Sequence, residues 1–192
     1  MSDPRVDVAL VPSTLLLLPE NVGLVDPIVE LRSACLEVTR DLTRSHPERV
    51  AVLSAPLRDQ DVAHDITEPA GQRIARHLLE ETGFAGEVAD GDVVDGLLVV
   101  ANGSARRTEH SPGSYDARAK PFDDAIERAL FRAHLDVLKD LDLELADALL
   151  CPDATALRRL GELATTTLGG GLSRAEDPFG VRYWVGWWTC GS

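Results

Sequence analysis

Leu97–Leu130 reads LLVVANGSARRTEHSPGSYDARAKPFDDAIERAL, and its pattern decides the fold class. The apolar run Leu97–Ala101 stops abruptly at Asn102-Gly103-Ser104. A long polar loop follows, and Pro121 then opens an amphipathic helix with Phe122, Ile126, Leu130 and Val137 on one face. Open α/β sheets place their ligand sites where a buried strand ends in such a loop. The loop carries Asn102, Ser104, Arg106, Arg107, Glu109, His110, Tyr115, Asp116 and Arg118, the densest set of ligand-binding groups in the chain.

Working outward, Val6–Val11 is a short apolar run ending at Pro12-Ser13-Thr14, and Arg49–Ser54 is another. Both read as buried strands. Pro19 argues against a continuous helix through the LLLLPE stretch. Between the two strands, Ile28, Leu31, Cys35, Val38 and Leu42 recur at helical spacing. A second helix is expected over 68–82, with Pro69 in its first turn and Gly83 just past its end. Leu141–Leu150 reads as a short helix. Asp153 is placed to cap another, with Leu157, Leu160, Ala164 and Leu168 on one stripe. Gly169-Gly170-Gly171 then reads as a flexible turn, and the aromatic Val181–Thr189 as the last strand. Buried strands alternating with helices imply one domain over 1–192, a three-layer α/β/α arrangement with a mainly parallel or mixed sheet.

With 19 Lys and Arg against 32 Asp and Glu, the net charge is −13. Such a surface repels phosphate backbones and anionic lipid, so nucleic acid and membrane surfaces are not expected partners. Cys35, Cys151 and Cys190 are odd in number and lie far apart, which suits reduced thiols in a cytoplasm. No signal-like leader and no membrane-length apolar run is read from the sequence. Arginine far outnumbers lysine in an Ala-, Val- and Leu-rich chain, a composition that suggests a bacterial source.

No two histidines sit at the i, i+4 or tight local spacing that metal sites favour. Asp61, His64 and Asp65 form the nearest local ligand set, and His77 shares a helix face with Glu80 and Glu81. His134 reads as a structural residue of an amphipathic helix. Arg106 and Arg107 behind a strand end could clamp a carboxylate or phosphate; the commoner use is to pair with Glu109, Asp116 or Asp123 and brace the loop. Ser104 lacks the G-x-S-x-G setting of a hydrolase nucleophile, although His110 is near in sequence. Cys35, Cys190 and the cluster of Trp184, Trp187 and Trp188 read as packing residues.

Three short stretches carry a resemblance. Ala101-Asn102-Gly103-Ser104-Ala105-Arg106, Ser111-Pro112-Gly113-Ser114-Tyr115-Asp116-Ala117-Arg118 and Pro121-Phe122-Asp123 are similar to a strand-end, loop and helix-start pattern of the class III extradiol ring-cleavage dioxygenases. Among them the chain looks closest to short, divergent bacterial members, and Pro12-Ser13-Thr14 stands where that family has Pro-His-Pro. The resemblance implies an Fe(II) cofactor held by two histidines and a late carboxylate, with a further histidine for acid/base work. Here those histidine places fall on Ser13, Leu57 and Ala105, and Glu176 is the only late carboxylate suggested. Serine and leucine cannot supply the imidazole nitrogens that such iron requires. The expectation is a divergent member without iron or ring cleavage, keeping a pocket of Ser13, Asn102, Ser104, Arg106 and Arg107 for a small anionic molecule. Two alternatives stand beside it. One is a metal-dependent dioxygenase or other oxidoreductase with a displaced site using His64, Asp65 or His110. The other is a non-catalytic interaction protein, forming a homodimer or joining a catalytic partner.

Overall fold

A computed structural model describes residues 5–58, 62–63, 65–89 and 95–191. Asp61 and His64 lie outside the described residues. The elements in chain order are β1 (Arg5–Val11), α1 (Val29–Ser45), β2 (Arg49–Leu53), α2 (Ala70–Glu81), β3 (Glu87–Ala89), β4 (Gly96–Val100), α3 (Ala119–Phe131), α4 (Leu143–Ala148), α5 (Ala154–Leu163), β5 (Thr166–Glu176) and β6 (Tyr183–Gly191). Single 3-10 turns at Leu15–Leu17 and Pro19–Asn21 replace the doubtful helix at LLLLPE, and another spans Leu135–Asp140.

The strands form one six-stranded sheet in the order β3-β2-β4-β1-β6-β5. β3, β2, β4 and β1 run parallel, whereas β6 is antiparallel to β1 and β5 antiparallel to β6. The sheet is therefore mixed. Alternation along the strands sends Val8, Leu10, Leu97 and Val99 to one face, and Ala9, Val11, Leu98 and Val100 to the other. α1 and α2 cover the second face through Leu31, Cys35, Leu42, Ile74 and Leu78. α3, α4, α5 and the 135–140 turn cover the first through Ile126, Leu130, Leu135, Leu157 and Leu160. Two separate apolar cores on opposite faces make a three-layer domain, and each fully buried Leu contributes roughly 1.5–3 kcal/mol. Among the described residues, no helix is long and apolar enough to cross a membrane.

Several expectations need correction. β3 pairs with β2 but is three residues long, too short to show a sequence period. α3 begins at Ala119 and ends at Phe131, because Ala133 takes a positive φ of 56° and turns the chain. Val137 is therefore off that helix and half-exposed on the following 3-10 turn, and His134 is an exposed residue at the start of that turn. Pro69 precedes α2 rather than lying inside it. The stripe of α5 stops before Leu168, which lies on β5. Gly169-Gly170-Gly171 is the middle of that edge strand and not a turn. Gly170 has φ +104°, and a Cβ there would strike the Trp187 carbonyl, so this strand needs glycine at this point, between its two bulges. Trp184 and Trp188 are fully buried, as packing residues should be, and all three cysteines are buried free thiols.

A candidate ligand cleft at the strand ends

The C-terminal ends of β1, β2 and β4 meet the start of β6 at one edge of the sheet. Asn102, the residue after Ala101, joins them. Its side-chain Oδ1 accepts from the Ser13 N–H at 2.8 Å, and its Nδ2 donates to the Ser13 carbonyl at 2.9 Å. The side chain thus continues the β1–β4 ladder beyond the last backbone bond, Ala101 N–H to Val11 O at 2.9 Å. The Asn102 backbone also pairs with Tyr183 on β6, and its N–H donates to Asp153 Oδ2 at 3.1 Å.

A cleft of about 330 Å³ opens above this junction. Ser13, Leu57, Asn102 and Ala105 all line it, drawn from three different strand ends. Asp153, just before α5, and Arg58, after β2, supply its charged groups. The first turn of α2 closes another side at Pro69, Ala70 and Gly71. A Cβ on Gly71 would collide with the Ser54 side chain, so glycine lets the helix approach the end of β2. Leu15, Ile66 and Leu150 form an apolar rim, each 40–45% exposed. A smaller cavity of about 140 Å³ shares Pro56, Arg58 and Pro152 with the cleft.

Asp153 is buried at 6% exposure. Its side chain does not cap α5, contrary to its place in the sequence. Burial pushes its carboxyl up to about 7, against the opposing pull of the Asn102 N–H, the Ser13 hydroxyl, the Arg58 charge and the Ala55 N–H. Sequence reading missed this residue as a cleft group. An N-cap position explained it locally, and nothing local reveals a contact with a strand end 51 positions away.

The other expected pocket residues lie elsewhere. Ser104 is fully buried beneath the loop: its N–H donates to Asp123, its Oγ donates to the Leu149 carbonyl at 2.7 Å and accepts from the Arg106 N–H at 3.0 Å. It is a fastening point and does not line the cleft. Arg107 is also buried and ion-pairs with Asp123 at 3.3 Å, Asp124 at 3.4 Å and Asp177 at 3.0 Å. Of the partners expected for it, Asp123 is one; Asp124 and Asp177 were not foreseen. Burial pushes the Asp123 carboxyl up to about 6 even with the Ser104 N–H and Arg107 beside it. Arg106 does not line the cleft, and its Nε is buried without a hydrogen-bond partner. Asp116 pairs with Arg118. Arg182 with Glu127, at 2.6 and 2.9 Å, ties the start of β6 to α3, and Trp184 donates to the same carboxylate at 3.0 Å.

Glu176 pairs with Arg174 on β5 and is not a cleft residue; the buried carboxylate at this edge is Asp153. Asp65, with φ 58°, and His110 are exposed and do not line the cleft. Among the described residues, no group of three His, Cys, Asp or Glu could hold a metal ion. A site for Fe(II) of the two-histidine, one-carboxylate kind needs two imidazoles. The described cleft residues offer the Asp153 carboxylate, with a hydroxyl from Ser13 and alkyl groups from Leu57 and Ala105 but no imidazole, so they do not fit it. Compared with known proteins, the chain matches no family model and no curated sequence.

Proposed function

We propose that this chain is a divergent extradiol-dioxygenase-like domain that binds a small molecule in the strand-end cleft and does not cleave aromatic rings. The observation that carries the reading is convergence. Ser13, Leu57 and Ala105 stand at the three places where the resemblance expects histidines, and all three line one cleft. A shared site with its imidazoles replaced keeps a concave, largely apolar pocket with a few fixed polar groups, which is the ordinary form of a ligand site. The pocket differs from the sequence expectation in its polar groups: Asp153 and Arg58 take the places expected for Ser104, Arg106 and Arg107.

The test is metal analysis of protein purified from iron-replete cells, together with a catechol-cleavage assay. The expected result is iron far below one per chain and no ring-opened product. Near-stoichiometric iron with cleavage would overturn the proposal. A second reading keeps a metal at a displaced position using His64, which lies outside the described residues. His64→Ala should then abolish metal binding, and unchanged metal content removes that reading.

A further inference from the structure

The cleft carries charges of opposite sign at different depths. Asp153 is buried beneath the ends of β1 and β4 and already accepts from Asn102. Arg58 is exposed and lines the same cleft as the first turn of α2. That turn presents the N-terminal end of a twelve-residue helix, whose free N–H groups favour negative charge. A simple organic anion meets the buried carboxylate, where low dielectric strengthens repulsion. A simple cation meets Arg58 and the helix start. Neither is accepted by the whole lining. Beside these two charges and the polar Ser13 and Asn102 the lining is largely apolar, and the rim of Leu15, Ile66 and Leu150 leaves apolar surface for a ligand to cover.

Resting on the reading of this cleft as a ligand site, we propose that it takes a small zwitterion of the amino-acid type. Its ammonium is received by Asp153, its carboxylate by Arg58 and the start of α2, and its apolar body by the rim. Burial raises the proton affinity of Asp153 even against the Arg58 charge and the donors around it, and an ammonium placed beside the carboxyl favours its ionised form.

Three compounds of one shape separate the possibilities: phenylalanine, phenethylamine, which lacks the carboxylate, and 3-phenylpropionate, which lacks the ammonium. Each is titrated into isotopically labelled native protein while the backbone amides of Ser13, Asn102, Gly103 and Ala105 are followed by NMR. The expected result is saturable shifts with phenylalanine at an affinity at least about tenfold above either single-charge compound. Arg58→Gln, an exposed substitution, should lower phenylalanine binding to the level of phenethylamine, and Asp153→Asn to that of 3-phenylpropionate. If either single-charge compound binds as tightly as phenylalanine, or if Arg58→Gln leaves binding unchanged, the zwitterion proposal falls while the cleft remains a ligand site. If none of the three moves these amides, the cleft reading falls with it.

Discussion

At the residue scale, Asn102 and Asp153 hold the strand-end junction together. Both polar atoms of the Asn102 side chain are used on Ser13, and its backbone N–H is used on Asp153. Asn102→Ala leaves the Ser13 N–H and carbonyl without their partner. An unsatisfied buried group costs roughly 1–3 kcal/mol, and these two are only part-buried, so the variant should lose about 1–2 kcal/mol, read as a lower urea midpoint at unchanged slope. Asp153 gives a pH signature. Its carboxyl is raised from 3.8 to about 7, so the folded chain holds this proton more tightly than the unfolded one. Stability from this residue is greatest below about pH 4 and is lost as pH rises toward about 7. At about 1.4 kcal/mol per pH unit the window is worth on the order of 4 kcal/mol. Asp153→Asn should flatten the fall in urea midpoint between pH 4 and 7. A slope equal to that of the native chain would show that Asp153 does not titrate there.

At the element scale, the loop between β4 and α3 is braced by Arg107. Its three carboxylate partners come from α3 and from the turn before β6. Removing one member of a buried ion pair leaves an uncompensated charge and costs about 3–5 kcal/mol, so Arg107→Ala should be strongly destabilising in urea unfolding. The exposed pair of Arg76 with Glu68 is the control: Arg76→Ala should cost under about 1 kcal/mol. A loss equally small at Arg107 would refute the brace. On β5, Gly170→Ala forces a Cβ into a positive-φ position against the Trp187 carbonyl and should cost at least about 1–3 kcal/mol. These two elements also show what the sequence made legible. The buried strands β1, β2 and β4 stood out as apolar runs, and Asp123 was among the partners expected to pair with the two arginines. β5 stayed hidden because its three glycines signal a turn, although a bulged edge strand tolerates them. The end of α3 stayed hidden because Ala133 is an ordinary helix former that here adopts φ 56°. Ser13 and Asn102 were legible because strand ends are where α/β clefts form. Asp153 was not, because its role depends on long-range contacts and its N-cap position sufficed as a local explanation.

At the scale of the whole molecule, the mixed sheet brings residues from distant parts of the chain to one edge: Ser13, Leu57, Asn102, Ala105 and Asp153 share a single cleft. That edge is the topological place where parallel strands present their loops to a ligand. The polar groups it presents suit hydrogen bonding and ion pairing, and the described lining lacks the imidazoles that non-haem iron requires. The most direct measurement is anaerobic calorimetric titration of Fe(II) into the intact chain at neutral pH. An iron-free cleft should give no saturable heat at micromolar metal. A single tight site of one iron per chain, lost on Asp153→Ala, would contradict it.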